Sequence, residues 1–313
     1  MQKDLFGNII DPVTGPSKKI SWSYSKMQSF RDCPRRYYYH YYGSKKRVAK
    51  AEPLKEKLAA LSKLSNRYMF QGQVIHLVIS TFLKKQKVFE IWDENRLLSF
   101  AEKVINETIN YNQRIANGAS IAVSTFQMTL LKEIQENIID VEQLRAEVIA
   151  VARTCLHNFF SNPEFDHLRK GATLVNAKIE GDTSFSLSDR VEVDGKLDLA
   201  FWSDGVLFVA DWKTGKKEMQ DTSLQLLVYV LWAKALKEKS FTEVAIQKAY
   251  LQENSLERLE YSELHIDRAR ARILQDADML LEMHPFGVEG VSDAFTRYVG
   301  KNCALCPFEK SCH

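Results

Sequence analysis

The sequence predicts an α/β protein in which a mixed sheet is flanked by helices and preceded by a large helical region. Residues 52–167 contain few glycines and carry apolar residues at helical spacing. Residues 206–210, VLFVA, form an unbroken apolar run, which is typical of a strand buried on both faces. From residue 172 onward the predicted order is strand, strand, strand, helix, strand, which suits a mixed sheet covered by helices.

The composition is that of a globular protein without a strong global charge. The chain has 313 residues, 45% of them apolar and 27% charged, and its net charge is +3. A nucleic-acid partner therefore has to be held by local basic patches. No apolar run reaches the length of a membrane span, and the first residues lack a signal-peptide pattern. We therefore expect a cytoplasmic protein that does not associate with membranes.

The N-terminal part of the chain predicts a short helix followed by an aromatic and basic cluster. Ser23 is a good N-cap for a helix from 24 to about 31, which Pro34 interrupts or restarts. Arg35 and Arg36 precede five tyrosines between positions 37 and 42. Such tyrosines either stack nucleic-acid bases or pack in the core with their hydroxyls at the surface. We favour the core for most of them and weak DNA contact for the nearby basic residues, which are Arg35, Arg36, Lys45, Lys46 and Arg47.

Two predicted strands bring acidic residues together. The strand at 206–213 ends in Asp211 and Lys213, whose side chains share a face because a strand repeats every second residue. Asp204-Gly205 is a strong hairpin signal between this strand and a predicted strand over 193–201. If the two strands pair around that turn, Asp198 approaches Asp211 at one end of the sheet.

Two neighbouring carboxylates repel each other unless a cation lies between them. Their oxygen atoms suit Mg²⁺ or Mn²⁺. Lys213 would then orient or help to deprotonate a water, or stabilise charge on a phosphate. The alternative interpretation is a solvated hairpin with three surface charges, and the spacing alone does not decide between the two.

The segments GKLDLA, VADWKTGK and QLLVY together resemble the nuclease core of the PD-(D/E)XK superfamily, in particular its RecB-like exonuclease branch. The resemblance implies a restriction-endonuclease-like fold, in which Asp198, Asp211 and Lys213 are catalytic and both aspartates bind metal. Gln225 and Tyr229 match a Gln-x-x-x-Tyr motif, share a helix face, and would support the site or contact DNA. Leu197 stands where the superfamily name has proline.

Two further metal ligands are implied by the same resemblance. Gly72 to His76 fits the G-x-x-x-H helix that delivers a histidine to the metal in RecB-like proteins, and His76 shares a helix face with Met69, Gln73 and Ser80. Without that context, a lone histidine among apolar residues is usually a core histidine. Glu180, which we expect to end the first strand of a strand pair, corresponds to a glutamate near the metal; the alternative is a surface glutamate.

The cysteines predict a second centre. Cys303, Cys306 and Cys312 lie within ten residues of one another, which suits a metal or a cluster better than disulfides in a cytoplasmic protein. Cys33 is the candidate fourth ligand. AddB-type and CRISPR-associated RecB-like nucleases share this arrangement, which implies a structural [4Fe–4S] cluster. Four thiolates also accept zinc. Cys155, within an amphipathic helix, is expected to be an inert buried thiol.

These expectations combine into a metal-dependent DNA exonuclease with an iron–sulfur cluster, acting on single strands or ends. Arg35, Arg36, Lys216 and Lys217 are candidate phosphate contacts. The expected segments are a flexible tail (1–20), an N-terminal helix with the first cluster cysteine (21–48), a helical region (49–170), the nuclease core (171–299) and a C-terminal cysteine segment (300–313).

A different class of function is a catalytically silent, nuclease-fold subunit that binds DNA or acts as a scaffold in a helicase–nuclease or phage-defence complex. The joint presence of Asp198, Asp211, Lys213 and His76 favours the enzyme. The chain has no G-x-x-x-x-G-K-[ST] motif, so any motor has to come from a partner helicase or another repair or defence subunit.

Overall fold

A computed structural model describes residues 19–44, 53–119, 129–215, 217, 223–236, 241–283 and 295–312. The predicted flexible tail lies outside the described residues except at Lys19 and Ile20, and Ile20 already belongs to the first strand. Lys45, Lys46, Arg47, Lys216 and the C-terminal His313 also lie outside them.

Helices make up most of the first half of the described chain, and further helices follow in the second half. The α-helices of the described residues are α1 (Tyr24–Asp32), α2 (Pro34–Tyr38), α3 (Pro53–Leu61), α4 (Arg67–Lys87), α5 (Glu94–Ala116), α6 (Lys132–Gln135), α7 (Val141–Ser161), α8 (Asp166–Gly171), α9 (Ser223–Ala235) and α10 (Glu263–Met283). A π-helical turn, Tyr39–Gly43, continues α2, and 3₁₀ turns occur at Pro163–Phe165, Lys301–Cys303 and Glu309–Ser311.

The strands form one large sheet and two small ones. They are β1 (Ile20–Trp22), β2 (Leu64–Ser65), β3 (Leu130–Leu131), β4 (Lys178–Asp182), β5 (Phe185–Ser188), β6 (Val191–Val193), β7 (Lys196–Ser203), β8 (Val206–Lys213), β9 (Glu243–Tyr250) and β10 (Ser255–Arg258). The large sheet has the order β10-β9-β8-β7-β4, with β8 and β9 parallel and the other neighbours antiparallel. The predicted mixed sheet flanked by helices is therefore confirmed.

Local signals set the beginnings of the helices that matter for the site. The Ser23 side chain accepts a hydrogen bond from the backbone N–H of Lys26 at 3.3 Å, and Pro34 begins α2, as predicted. Asn66 caps α4 by accepting from the N–H groups of Tyr68 and Met69, both at 3.0 Å. These caps satisfy donors that a helix start would otherwise leave without partners.

The large sheet is covered on both faces. On one face, α4, α5, α7 and α8 enclose an apolar core that includes Phe82, Phe159 and Trp212, whose rings contact one another edge to face. On the other face, α9, α10 and α1 pack with Tyr37 against β7, β8 and β9. The tyrosine cluster is therefore largely core, as we favoured.

Three details of the predicted strands were wrong. β4 and β5 do not pair with each other: β4 pairs with β7 in the large sheet, and β5 pairs with β6 in a small one. The predicted strand over 193–201 is broken at Asp194 and Gly195, because the chain there passes from the small sheet to the large one. The helical region also contains β2 and β3, a short parallel pair.

None of the helices in the described part of the chain combines the length and the apolar character that crossing a membrane requires.

Candidate functional site

The β7–β8 hairpin brings the two aspartates together as predicted. Asp204 and Gly205 form a two-residue turn with φ angles of 51° and 78°, the positive values that a type I′ turn requires. The register pairs Leu199 with Ala210, so Asp198 and Asp211 follow as neighbours where the two strands diverge. The turn therefore determines the spacing of the acidic pair.

Asp198 is held by one bond to each carboxylate oxygen. Its Oδ2 accepts from the backbone N–H of Trp212 at 2.8 Å, and its Oδ1 lies 3.0 Å from Nδ1 of His76. Burial raises the pKa of Asp198, the hydrogen bond to His76 opposes that rise, and the Asp211 charge adds to it. The net pKa is raised because desolvation outweighs the stabilising partners.

Glu180 lies in the middle of β4 and not at its end, which corrects our prediction. Its φ of 56° is left-handed, a conformation that is rare for a residue with a Cβ and that concentrates at functional sites. The resulting irregularity directs its carboxylate toward the other acidic groups, where it also forms an ion pair with Lys196. One ligand atom from each of His76, Glu180 and Asp198 lies within 4.8 Å of the others.

Asp211 is buried beside this group and is held by different partners. Only 4% of the residue is exposed. Its Oδ1 accepts from Nε2 of Gln225 and from the Tyr229 hydroxyl, both at 3.3 Å. Its Oδ2 lies 2.6 Å from Nζ of Lys213 but makes no hydrogen bond of normal geometry within the described residues. Gln225 and Tyr229 lie one turn apart on α9, so both reach the same carboxylate.

His76 reaches the site because α4 packs closely against the end of β8. A Cβ on Gly72 would lie 3.4 Å from Oγ1 of Thr214, so a larger residue would press on the chain directly after Lys213. Burial lowers the pKa of His76, but the hydrogen bond and charge of Asp198, with smaller contributions from Asp211 and Glu180, raise it above its ordinary value.

The site opens into a groove along α4. The groove has a volume of about 710 Å³, and His76 and Glu180 line it together with Lys63, Lys84 and Lys196. Three ammonium groups beside an acidic centre favour a polyanion that approaches a metal-binding site.

The donor set fits a divalent cation. One imidazole nitrogen and two carboxylate oxygens are close enough to share an ion, and Oδ2 of Asp211 is a buried oxygen without a hydrogen bond. In the described geometry, Asp211 is outside the compact group and is neutralised by Lys213. Glu180, Asp198 and Asp211 together supply three carboxylates against two paired ammonium groups, those of Lys196 and Lys213, so the site retains capacity for added positive charge.

A second group of predicted residues lines a separate cavity of about 180 Å³. Cys33, Cys303, Cys306 and Cys312 all border it. No three of their sulfur atoms lie within 4.8 Å of one another, although all four cysteines are among the described residues. A tetrahedral zinc ion with Zn–S bonds of about 2.3 Å requires sulfurs about 3.8 Å apart. The cysteines thus share a cavity but do not form a closed single-ion site.

Arginines act on these thiols electrostatically. Burial raises the pKa values of Cys306 and Cys312, and neighbouring cysteines raise them further. Arg36 opposes the rise at Cys306, and Arg297 and Arg35 oppose it at Cys312, because a positive charge favours the thiolate. Arg35 and Arg36 therefore lie at the cysteine cavity and not in the groove beside His76.

Lys132 connects the cysteine segment to the helical region. This lysine is 2% exposed, and its Nζ donates to the carbonyls of Ala304 and Cys306 at 2.7 and 3.0 Å and to Oε2 of Glu309 at 3.0 Å. The next residue, Glu133, accepts from the N–H of Arg67 at the start of α4. Sequence reasoning missed Lys132 because its partners lie more than 170 positions away.

Other candidates lie elsewhere. Lys217 forms an ion pair with Glu257 at 3.3 Å and lies over the ring of Tyr250. Cys155 is fully buried, and burial raises the pKa of its thiol to about 12, as expected for an inert cysteine. Lys196, the partner of Glu180, was not singled out from sequence, although its position two residues before Asp198 on the same strand was a signal for it.

The comparison with protein families agrees with this geometry. A profile of the PD-(D/E)XK nuclease superfamily matches residues 21–313. No curated protein matches the chain. The matched range contains both aspartates, Lys213, His76 and Glu180. The chain belongs to the PD-(D/E)XK nuclease superfamily, whose members are metal-dependent nucleases.

Proposed function

We propose that this protein is a Mg²⁺- or Mn²⁺-dependent deoxyribonuclease that degrades DNA as an exonuclease from ends or single strands, as RecB-like nucleases do. The observation that carries the proposal is the group of His76, Glu180 and Asp198 beside the Asp211–Lys213 pair, of which His76 and Glu180 line a groove that contains lysines.

His76, Glu180 and Asp198 would hold the ion, with Asp211 joining them when Lys213 turns toward substrate. A bound divalent ion supplies the positive charge that polarises the scissile phosphate and acidifies water. Lys213 then orients the attacking water or stabilises negative charge on the phosphate. Gln225 restrains the Lys213 ammonium through a 2.9 Å bond, and Tyr229 restrains Asp211.

The shape of the groove supports a nucleic-acid strand as the substrate. It runs along α4, and cationic side chains lie on both sides of the acidic group, Lys63 and Lys84 from the helical region and Lys196 from the sheet. Such a distribution attracts phosphates on either side of the scissile bond. Arg35, Arg36, Lys216 and Lys217 remain predicted phosphate contacts outside this groove.

A [4Fe–4S] cluster held by Cys33, Cys303, Cys306 and Cys312 is the second part of the proposal. The shared lining of one cavity by the four cysteines supports a common bound group, and the arginines favour thiolate ligands. The cluster would join α2 to the C-terminal segment, and this structural role suits the reducing cytoplasm, where we place the protein.

Purification without oxygen, followed by an absorption spectrum and iron analysis, tests the cluster. Digestion of end-labelled single-stranded DNA with and without Mn²⁺ tests the enzyme, with Asp211→Ala as the inactive control. A brown protein that shortens DNA only with metal supports both parts. A zinc-loaded, iron-free protein that cuts nothing would favour the silent scaffold subunit of a helicase–nuclease, repair or defence complex.

A further inference from the structure

The loop after α4 displays an aromatic residue in a strained conformation. Phe89 is 93% exposed and has a φ of 61°. It follows Val88, the C-cap of α4, at the position where helices commonly place glycine because the left-handed conformation is unfavourable for other residues. Neither burial nor backbone geometry explains a phenylalanine here. A strained residue that the surrounding bonds hold in place points to function.

The loop is fixed by its own hydrogen bonds and ion pairs. The N–H of Phe89 donates to Gln86 O at 2.9 Å, and the N–H of Glu90 donates to Lys85 O at 3.0 Å. The Glu90 carboxylate lies 2.7 Å from Nζ of Lys85 and 2.6 Å from an Nη of Arg96. The Phe89 ring is therefore presented by a rigid loop, which reduces the entropy lost when it binds a partner.

Exposed apolar residues lie close to Phe89 along the chain. Val88 and Ile91 flank it, and Lys87 Nζ donates to the carbonyls of Val175 and Ala177 at 3.1 and 2.8 Å, so the α8–β4 loop lies alongside. Val175 is itself 97% exposed. An apolar surface of this kind marks an interaction site.

The position of this surface at the end of α4 favours a strand from the groove as its occupant. Gln73, Leu77, Ser80 and Lys84 of α4 line the groove, and Val88 continues the same helical stripe, four residues after Lys84. The distance along the helix from His76 to Phe89 is about 20 Å. A stacked strand advances about 3.4 Å per nucleotide, so the ring lies about six nucleotides from the metal-binding group.

We propose that Phe89 is a stacking platform for a base of the single DNA strand that leaves the groove, about six nucleotides from the scissile phosphate. This inference rests on the proposed nuclease function. An aromatic face binds any base, and Lys84, which is exposed in the last turn of α4, suits a phosphate of the same strand. The platform would contribute to the binding of long strands, whereas short strands would bind to the groove alone.

Binding of fluorescent single-stranded oligonucleotides of four and twelve nucleotides, measured by anisotropy in EDTA, tests the platform independently of cleavage. We expect Phe89→Gly to weaken binding of the twelve-nucleotide strand by about 5- to 100-fold, the range for one stacked base. Binding of the four-nucleotide strand should stay unchanged. Phe89→Trp should retain the wild-type affinity, and Leu264→Ser, at an exposed apolar residue of α10 that does not line the groove, is the matched control.

Phe89→Gly relieves the left-handed strain, so its melting temperature should equal or exceed that of the wild type. Unchanged affinity of Phe89→Gly for the twelve-nucleotide strand would overturn the platform. A change in self-association on ultracentrifugation with unchanged DNA affinity would also overturn it, in favour of a protein interface. Cleavage with Mn²⁺ is measured separately. If Phe89→Gly weakens DNA binding but the wild type never cuts DNA, the stacking platform is supported and the nuclease function is contradicted.

Discussion

The Nζ of Lys213 donates a hydrogen bond to Oε1 of Gln225 at 2.9 Å, and this bond joins the end of β8 to α9. The same ammonium lies 2.6 Å from Oδ2 of Asp211. A long, flexible side chain is thereby confined between an amide and a carboxylate, next to the groups that would hold a metal. The arrangement places a positive charge where a phosphate would develop negative charge.

Replacing Lys213 should separate chemistry from metal binding. We expect Lys213→Met to lower kcat for single-stranded DNA by about 10²- to 10³-fold, the effect of removing one charge-stabilising donor. Its Mn²⁺ affinity should be equal to or higher than that of the wild type, because Asp211 loses a competing cation. Single-turnover hydrolysis and Mn²⁺ titration by electron paramagnetic resonance measure the two quantities. A parallel loss of Mn²⁺ affinity would contradict the assignment.

The Tyr229 hydroxyl should support metal binding by orienting the Asp211 carboxylate. It donates toward Asp211 Oδ1 at 3.3 Å and toward the carbonyl of Lys196 at 3.1 Å. We expect Tyr229→Phe to reduce Mn²⁺ affinity or activity by about 10- to 100-fold, as is usual for partners that orient metal ligands. Tyr261→Phe is the control, since the Tyr261 hydroxyl donates to Val244 O, outside the site. Equal effects of the two substitutions would show that the Tyr229 hydroxyl does not orient the Asp211 carboxylate.

Lys132 should stabilise the cysteine segment far more than a surface lysine does. Lys132→Met leaves two carbonyls and a carboxylate without their donor, and we expect a loss of about 2–3 kcal/mol in the free energy of unfolding. Lys310→Met removes an exposed ion pair with Glu136 and should cost about 0–1 kcal/mol. Urea unfolding is measured for both variants. Similar losses of unfolding free energy in the two variants would show that Lys132 does not stabilise the cysteine segment in this way.

The Cys155 thiol should make stability fall at alkaline pH. Burial raises its pKa to about 12, from 9.0 when it is not buried. Between these values the unfolded chain has released a proton that the folded chain keeps, so the free energy of unfolding decreases as pH rises. The stabilisation by the protonated Cys155 thiol is fully present below pH 9.0. Above that pH it decreases by about 1.4 kcal/mol per pH unit until the pKa of the folded state is reached.

Urea unfolding at pH 8 and pH 10 checks this sign. The wild type should lose about 1.4 kcal/mol more than Cys155→Ala between the two conditions. The native thiol should also resist iodoacetamide at pH 8 until the protein is unfolded. Rapid labelling of Cys155 in the folded protein would show that the thiol is accessible and that the expected pH dependence is absent.

The parts of the site that follow from short-range rules were predictable. The Asp204-Gly205 turn brings Asp198 beside Asp211, and helical spacing puts Gln225 and Tyr229 on one face. The helix delivering His76 was indicated by resemblance, and the structure brings that side chain to Asp198.

The remaining features depend on long-range packing. The inward orientation of Glu180 depends on a left-handed residue within β4, and no sequence spacing reports a backbone angle. The separation of β4 from β5 arises because each finds its partner in a different sheet. The burial of Lys132 requires acceptors from the far end of the chain. Tertiary contacts decide such features, and local propensity carries no information about them.

The most direct test of the central claim is digestion of end-labelled single-stranded DNA by the wild type and by Asp198→Ala, each with and without Mn²⁺. The wild type should shorten the strand only when Mn²⁺ is present. Asp198→Ala should leave the strand intact while keeping its fold. A wild type that binds the strand but never cuts it with any divalent ion, or an Asp198→Ala variant that cuts as well as the wild type, would contradict the assignment of this site.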